Sequence, residues 1–564
     1  MHKKYKIALS IIIVFLIAWF GKGLIEDIVA NRLHKLALKQ DNEVYHYDLG
    51  DFELSLFSRE LVLKDIKIIP KIDYLDSLKK INQAKSSIYY IELDEIRIQD
   101  LNLINIVFSN HIDIGKVSFN SPKVFFYKAD SSISEGDLIV SRIGNQKRLF
   151  SDLVNGKFKT IQISEIDINK ANTQYYKVLK NDSLRLMRSE NSSFKIYGIS
   201  TDPQTLNSSI VFNYDSSYFN LKNMHWEANE DYSLSIGSFT KETDEDHLTF
   251  KDIRLVPRED KFTFMLDKIQ EVDWYKCEID ELIVRKFDLR SFQRNKSIKT
   301  SEISINKANI EIYRDKRLSE NKTTIPLIGT VLKALEIDLS IPKLTITDTQ
   351  LNYYEWEINA KRPIHAEIDY LDIEIENLSN RFQDLIDDDT LKLVAEAYFM
   401  DKGRLDLQAH FFLADTNDRF QLQTRVEHIP LEALNPLTKE SAFIEFKDGK
   451  LDWLEMRMEA NDYSSNTKMD LQYSNMKHFD LLRGMDEMKV KREKGHHVSR
   501  KRKFLSFIIR EVIPNNYGPE TPKYETAVYS VERIRHKSII NYLVENIKAG
   551  AKAHLEPDFL KNGS

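Results

Sequence analysis

From about residue 47 to about residue 480, the chain consists of short runs in which apolar and polar residues alternate. Residues 52–56 read FELSL, and residues 61–68 read LVLKDIKI with one change of phase in the middle. Alternation with a period of two is typical of a strand with one apolar and one polar face. Asn, Asp, Ser and Lys separate the runs, as residues of turns do. The pattern therefore predicts a mainly β body.

The strand pattern repeats along the chain. Residues 92–103, ELDEIRIQDLNL, align without gaps with residues 278–289, EIDELIVRKFDL, and at the same offset residues 116–127 align with residues 302–313. A looser third copy starts at Ile341. Strand units that recur in this way favour an array in which neighbouring units bury each other's apolar faces.

Two nearly identical nonamers, SEIDINKAN at residues 164–172 and SEISINKAN at residues 301–309, differ at a single position. In each nonamer, two isoleucines of one face precede an Asn-Lys pair, and the apolar phase changes after that pair. Asn tolerates positive φ, so we expect a tight turn or a β-bulge at Asn169–Lys170 and at Asn306–Lys307. Pro122 occupies the aligned position of the first copy, where a donor to the ladder is dispensable. The nonamer is thus predicted to be strand, kink and strand, without a reactive group.

The first 25 residues have the pattern of a membrane anchor. Lysines precede an uncharged apolar run at residues 7–21, and with Lys22 snorkelling the helix approaches the ~20 residues that a bilayer requires. By the positive-inside tendency, we expect the N-terminus in the cytoplasm and the body across the membrane. A cleaved signal peptide is the alternative, although Trp19 and Phe20 stand where a cleavage site needs small residues. The predicted anchor residues are Ile7, Ile11, Phe15 and Trp19.

Composition and motifs argue against several classes of function. Of the 564 residues, 42 % are apolar and 30 % are charged, and the net charge of −6 lacks the basic excess of a nucleic-acid-binding protein. The chain has 17 glycines, which is few for a protein with nucleotide-binding loops. It contains no HExxH, GxSxG, GxGxxG or Walker motif, and the single Cys277 allows no internal disulfide. We therefore expect no enzymatic activity, no metal and no cofactor, with an envelope hydrolase as the competing enzymatic interpretation.

Several segments of the body resemble the AsmA-like family. The strand–kink–P-x-V-x-x-Y units of that family are similar to VSFNSPKVFFYK at residues 117–128 and to LSIPKLTITDTQLNYY at residues 339–354. Residues 443–481 resemble its C-terminal region, except that Asn466 stands where a Gly is expected, and residues 502–555 resemble the tail of a bacterial envelope subgroup. The resemblance implies a periplasmic β-groove, anchored in the inner membrane, that passes phospholipids toward the outer membrane as bridge-like lipid transfer proteins do.

Together these features predict a mainly β fold: an elongated, twisted antiparallel β-groove built from repeated strand units, with an N-terminal transmembrane helix and C-terminal amphipathic helices. The expected parts of the chain are a cytoplasmic tail and transmembrane anchor at 1–25, an amphipathic helical stalk at 26–46, a first groove repeat at 47–235, a second groove repeat at 236–420, a C-terminal β part of the groove at 421–485, and a basic linker with C-terminal helices at 486–564.

The apolar face of such a sheet needs a cover, because a sheet buries a face only against a second layer. The sequence offers few long helices for this purpose, so we expect the face to curl around acyl chains and to form a lipid groove. The alternative is that the same residues form the dry core of a β-sandwich. The residues expected to line the groove are Ile96, Ile98, Val117, Phe119, Val124 and Phe126 in the first repeat and Leu282, Val284, Ile303, Ile305, Ile310 and Ile312 in the second.

Basic and apolar segments follow the strands. Residues 489–503, KVKREKGHHVSRKRK, are interpreted either as a solvated linker or as a contact for anionic head groups or an acidic partner. The next segment, FLSFIIREVIP, has the spacing of an interfacial helix that Pro514 ends. A terminal helix that caps the array or binds a partner is predicted from a second apolar stripe, Val531, Ile534, Tyr542, Leu543 and Ile547.

Two functions are compatible with the sequence. In the first, the protein is a single-pass inner-membrane protein whose periplasmic groove carries phospholipid or another acyl lipid between the inner and outer membranes. In the second, it is a structural or assembly scaffold of the cell envelope in outer-membrane biogenesis, and its C-terminal helices contact an envelope protein. Nucleic acid is an expected partner in neither.

Overall fold

The computed structural model describes residues 45–55, 57–71, 87–102, 111–129, 160–178, 183–201, 213–242, 245–288, 291–292, 297–482, 513–522 and 524–555. These residues are mainly β. The predicted anchor, with Ile7, Ile11, Phe15 and Trp19, lies outside them, as do nearly all of the predicted stalk and the basic run. Within the described ranges, the helices are too short or too polar to cross a membrane.

The chain divides into two compact units, Met1–Glu245 and Asp246–Ser564. Ten strands of the first unit lie among the described residues. They are β1 (Tyr45–Leu49), β2 (Phe52–Ser55), β3 (Glu60–Pro70), β4 (Ser87–Gln99), β5 (His111–Asn120), β6 (Lys123–Ala129), β7 (Thr160–Val178), β8 (Ser183–Thr201), β9 (Ser216–Glu227) and β10 (Tyr232–Lys241).

In the sheet of the first unit, β1 and β2 both pair with β3, one after the other along its length. Strand β3 also pairs with β4. Strands β5 and β6 likewise lie one after the other between β4 and β7, and each of them pairs with both of these strands. Strands β8, β9 and β10 continue the order beyond β7. Among the described pairs of this unit, β5 and β6 are parallel to β7 and the others are antiparallel.

The second unit has more strands, and it also contains helices. Its described strands are β11 (His247–Pro257), β12 (Asp273–Arg285), β13 (Ile298–Lys299), β14 (Glu302–Asp315), β15 (Leu339–Trp356), β16 (Ile364–Ser379), β17 (Thr390–Phe399), β18 (Gly403–Phe412), β19 (Phe420–Pro430), β20 (Ile444–Phe446), β21 (Lys450–Ala460), β22 (Ser464–Ser474), β23 (Phe479–Leu481) and β24 (Ala527–Glu532). Its described helices are α1 (Lys261–Leu266), α2 (Ile328–Lys333), α3 (Phe382–Asp387), α4 (Asn435–Ser441) and α5 (Ile539–Leu555), with a 3-10 turn at Leu431–Leu434.

The main sheet of the second unit has the order β11, β12, β14, β15, β16, β17, β18, β19, β21, β22 and β24. The short β13 pairs with β15 beside β14, and β20 pairs with β23 separately. Strands β13 and β14 are parallel to β15, whereas the other described pairs are antiparallel.

The two units share one strand order, as a duplication requires. Residues 92–103 and 278–289, which align in sequence, contain most of β4 and of β12. In each unit that strand pairs antiparallel with its neighbour, and the neighbour pairs parallel with the next strand. The second unit then adds β19, β21, β22 and β24 beyond the shared order.

The prediction of a purely antiparallel sheet is wrong, because both units contain a parallel pair. A parallel pair needs a crossover connection, which returns the chain to the edge where the first strand began. In the second unit, residues 316–338 form this crossover and include α2. The corresponding connection of the first unit, residues 130–159, lies outside the described residues.

The kinks occur inside the nonamers as predicted, but Lys rather than Asn adopts the left-handed conformation. Lys170 has φ 54° in β7, and Lys307 has φ 56° in β14. Asn306 stays in the ladder between Glu281 and Thr347, and both ladders keep the same register on either side of Lys307, so the kink adds no residue to β14 relative to its neighbours.

Each kink has a matching kink in the parallel neighbour. Ser121, with φ 52°, lies beside Lys170, and Asp348, with φ 53°, lies beside Lys307. The repeated nonamer is therefore found in one strand of each parallel pair, where two neighbouring strands bend at the same level.

We expect Lys307→Val to lower the free energy of unfolding by about 1–2 kcal/mol, because a β-branched residue tolerates left-handed backbone poorly. Lys307→Gly should not lower it, since Gly adopts this conformation without steric cost. The lost ion pair with Asp280 is exposed and contributes little. Urea unfolding of the full-length variants measures the difference.

Lys392→Val provides the matched control, because Lys392 is an exposed strand residue without positive φ. Equal losses for Lys307→Val and Lys392→Val would show that the kink at Lys307 carries no particular strain.

Candidate functional site

One face of the second unit's sheet is apolar across eleven neighbouring strands. Residues that face each other across a ladder share a face of the sheet, so the register defines rows of side chains. One row consists of Phe250, Leu282, Ile305, Ile346, Ile373, Ala395, Leu407, Thr424, Met456, Met469 and Ala527. The next row consists of Leu248, Val284, Ile303, Leu344, Ile375, Leu393, Ala409, Leu422, Met458, Thr467 and Tyr529.

The residues between these rows and beyond them point to the other face, which is mostly polar; Ile283, Val394 and Val528 are the apolar members of the row in between. A row of that face consists of His247, Arg285, Glu302, Lys343, Glu376, Lys392, His410, Gln421, Glu459, Asn466 and Ser530. Cross-strand ion pairs such as Arg285–Glu302, at 3.4 Å, accompany it. The sheet of the second unit therefore has one apolar and one polar face, as alternation requires.

Four of the predicted groove residues, Leu282, Val284, Ile303 and Ile305, belong to the two apolar rows. The other two lie beyond the kink, where Ile310 is between Cys277 and Leu351, and Ile312 is between Tyr275 and Tyr353. All six side chains are half-buried. The structure thus brings each of them to a cross-strand row on the sheet.

In the first unit, Ile96 pairs with Phe119, and Ile98 pairs with Val117. These four residues form one apolar cluster with Leu101, Ile112, Ile114, Ile163 and Ile166. Val117 is buried, and the other three predicted residues are half-buried. The last two predictions of this unit are separate from the cluster, with Val124 opposite Ile91 and Phe126 opposite Tyr89.

Sequence comparison of the repeats missed the continuation of the apolar face over β15 to β18. Ile346, Ile373, Ala395 and Leu407 continue the row that contains Ile305. Alternation in LTITDTQLNYY and in DYLDIEIENL is the signal that could have identified the first two.

The apolar face is covered by protein at β17 to β24 and is half-exposed at β11 to β16. Met456, Met458 and Met469 are at most 1 % exposed, whereas Ile305 and Ile346 of the same face are half-buried. Two elements provide the cover: Leu327 and Leu332 of the crossover pack on strands β17 to β19, and α5 packs on β22 and β24.

Helix α5 is fixed by a buried polar network around Asn546, whose side chain is fully buried. The Asn546 Oδ1 accepts hydrogen bonds from the Ser465 hydroxyl at 2.9 Å and from the Thr467 hydroxyl at 2.6 Å. Its Nδ2 donates to the Tyr542 carbonyl at 2.9 Å, and the Tyr529 hydroxyl donates to the Asn546 carbonyl at 2.8 Å. These bonds set the position of the helix on the strands.

The structure corrects the predicted C-terminal stripe in part. Val531 lies in β24, and Ile534 lies in the connection before α5, so neither is helical. Tyr542, Leu543 and Ile547 are on the helix and pack into the covered part of the face. Ile540 and Val544, which no prediction included, are the exposed apolar residues of α5 among those described.

Ion pairs hold the segment before α5 to distant loops, and we call Glu271, Glu320, His536 and Lys537 the C-terminal clasp. The Lys537 Nζ is 3.2 Å from Glu271 Oε2 and 2.8 Å from Glu320 Oε1, and the His536 Nε2 is 3.0 Å from Glu320 Oε1. Hydrogen bonds from Lys537 and then from His536 lower the pKa of the Glu320 carboxyl to about 2. The contacts of Glu320 with His536 and Lys537 therefore depend on its ionised carboxylate, whereas the Lys537–Glu271 pair does not.

Metal ligands and the single cysteine can be assessed among the described residues. No group of three His, Cys, Asp or Glu side chains among them could hold a metal ion. Burial raises the pKa of the Cys277 thiol, which lies between Leu255 and Ile310 on the sheet, and a raised pKa disfavours the nucleophilic thiolate.

No protein-family model and no curated protein matches this sequence. Among solved structures, the crystal structure of the sex pheromone staph-cAM373 precursor aligns with 61 % of this chain and 85 % of its own, at 11 % identity and a TM-score of 0.13. So low a TM-score carries no argument about fold or function.

We expect Asn546→Ala to lower the free energy of unfolding by about 2 kcal/mol, because it leaves buried hydroxyls of Ser465 and Thr467 without their acceptor. The combined variant Asn546→Leu, Ser465→Ala and Thr467→Val should recover much of this loss, since it removes the polar groups together. Thermal unfolding of the full-length variants measures both. A triple variant no more stable than Asn546→Ala would contradict this account of the network.

Glu320→Gln is expected to lower stability at pH 7 and to have less effect as the pH falls. The folded-state pKa of about 2 lies below the ordinary value of 4.5, so the contribution is complete above pH 4.5 and is lost toward pH 2. Apparent Tm values between pH 7 and pH 2.5 measure how the Tm difference between the unchanged protein and Glu320→Gln narrows. Glu336→Gln is the control, because Glu336 is an exposed acid outside the clasp. A difference that stays constant over this range would contradict the clasp's dependence on ionised Glu320.

Proposed function

We propose that this protein is an inner-membrane-anchored periplasmic carrier, whose apolar sheet face holds phospholipid acyl chains between the inner and outer membranes. The observation that carries the proposal is the half-exposed part of the apolar face at β11 to β16. In this proposal the face forms part of an elongated groove, and the chain has no catalytic role.

The half-exposed rows suit an acyl chain better than they suit water. Leu282, Ile305, Ile346 and Ile373 are consecutive across β12, β14, β15 and β16, and each is half-buried. Neighbouring strands are ~4.8 Å apart, so such a row offers apolar contacts at regular intervals. Each CH₂ group that leaves water for an apolar surface gains about 0.8 kcal/mol. A lipid tail of a dozen or more methylenes can therefore bind along the row without one deep pocket.

The polar face supports the same proposal, because it lets the sheet stand in an aqueous compartment. Lys343, Glu374 and Glu376 lie on neighbouring strands of that face, and Lys343 pairs with Glu374 at 2.9 Å. A sheet that is polar on one side and apolar on the other can stand in water and still offer an apolar surface to a lipid.

A scaffold of the cell envelope is the second candidate, and the covered half of the apolar face favours it. There α5 and the crossover pack over Met456, Met458 and Met469, as in an ordinary protein core. If the face elsewhere were covered by a partner, the protein would serve in assembly and α5 would present Ile540 and Val544 to that partner.

The two candidates differ in the effect of a charge on the apolar face. We expect Ile305→Glu to lower the phospholipid that copurifies with the full-length protein by several-fold, because a carboxylate on the row repels acyl chains. Ser304→Glu is the matched control, since Ser304 is the preceding residue and lies on the other face, opposite Ile283 and Thr345. Quantitative mass spectrometry of lipid extracts measures the molar ratio of phospholipid to protein.

The control variant corrects for lipid that adheres to the expected membrane anchor, because both variants retain that segment. Transfer of labelled phosphatidylethanolamine between vesicles gives a second readout. Equal lipid content and equal transfer for Ile305→Glu, Ser304→Glu and the unchanged protein would reject the carrier and leave the scaffold.

A further inference from the structure

The kinks of the second unit surround a cavity of about 620 Å³ that is strongly acidic. Its lining includes the six carboxylates Glu278, Asp280, Asp348, Glu367, Asp369 and Asp401 and a single cationic side chain, Lys307. These residues come from β12, β14, β15, β16 and the turn between β17 and β18. The lining therefore carries a large excess of negative charge, which comes from three strands, β12, β15 and β16, and from the turn between β17 and β18.

Three of the carboxylates are already neutralised at the surface. Asp280 is 3.2 Å from Lys307, Glu278 is 3.3 Å from Lys276, and Asp401 is 2.7 Å from Lys402. The other three, Asp348, Glu367 and Asp369, form no ion pair with any residue in the described parts of the chain. The cavity thus contains unbalanced charge that the fold itself does not compensate.

Two buried polar groups of the lining favour a ligand that donates hydrogen bonds. Thr349 is 2 % exposed and Asp369 is 8 % exposed. The Thr349 Oγ1 and the Asp369 Oδ2 have no hydrogen-bond partner among the described residues, although the Asp369 Oδ1 accepts a bond from the Gln350 Nε2 at 3.0 Å. A buried oxygen without a partner is costly, and a donor in the cavity would remove that cost.

Backbone strain is concentrated at the same place. Lys307, Asp348, Tyr370 and Asp401, with φ between 48° and 56°, all line the cavity in the left-handed conformation. Tyr370 is 67 % exposed, and its ring is 6.3 Å from that of Tyr398. An aromatic residue that is held in this conformation, beside carboxylates, can offer its ring face to a cation.

We propose that this cavity binds a linear polyamine, a small organic cation with several ammonium groups. No three acidic groups in the described residues are close enough to hold one metal ion, so the charge is too dispersed for Ca²⁺ or Mg²⁺. Separated ammonium groups match separated carboxylates, and each forms a charge-assisted hydrogen bond. A phospholipid head group is disfavoured, because its phosphate would meet the same carboxylates.

Isothermal titration calorimetry of the full-length protein with spermidine tests the proposal, and Ca²⁺ serves as the competing probe. We expect saturable binding of one spermidine that weakens about tenfold in Asp369→Asn and in Asp348→Asn, since each loses a charge-assisted bond. The affinity should also fall as the salt concentration rises. Asp348 is exposed, and Asn tolerates its left-handed backbone, so Asp348→Asn remains informative even if the buried change at Asp369 impairs folding.

Glu376→Gln is the matched control, because Glu376 is an exposed acid on β16, the strand that carries Asp369, outside the cavity lining. Its affinity for spermidine should equal that of the unchanged protein. An equal loss of spermidine affinity in Asp369→Asn, Asp348→Asn and Glu376→Gln would show that the attraction is non-specific, and it would overturn the proposal. Binding of Ca²⁺ that depends on Asp348 and Asp369, without binding of spermidine, would overturn it in favour of a metal.

Discussion

The register of the strand ladders is the constraint on which the second unit depends. Because side chains alternate, a slip of one residue in any strand would turn its apolar residues to the polar face. The pairing keeps apolar residues aligned from Phe250 in β11 to Ala527 in β24. A continuous apolar face therefore requires that every ladder between these strands keep the same phase.

The kinks are compatible with this register because they occur in matching pairs. An extra residue in one strand would shift its phase against the neighbour. Lys307 and Asp348 lie side by side, so Ile305 faces Ile346 before the kink and Ile310 faces Leu351 after it. The left-handed residues cost conformational energy, yet they let two parallel strands bend together and keep their apolar residues aligned. The same bend collects the carboxylates that line the acidic cavity.

A single apolar face has two different environments in this protein. At β17 to β24 it is an ordinary core, and buried hydrogen bonds such as that between Thr467 and Asn546 fix what covers it. At β11 to β16 the residues of the same rows are half-exposed. These buried hydrogen bonds explain why α5 has a definite position there. The half-exposed part is where a hydrophobic ligand would find apolar contacts.

The sequence by itself determined the strands, their apolar faces and the level of the kinks, because alternation and its changes of phase are local properties. It therefore identified Ile303 and Ile305 on one face and the bend after them. Only the tertiary structure decided that β14 pairs parallel with β15, that Lys307 rather than Asn306 is left-handed, and that α5 covers one end of the face. A strand has the same alternation of apolar and polar residues whichever strand it pairs with. The pairing of the strands and the covering of their apolar face therefore depend on residues far apart in the chain.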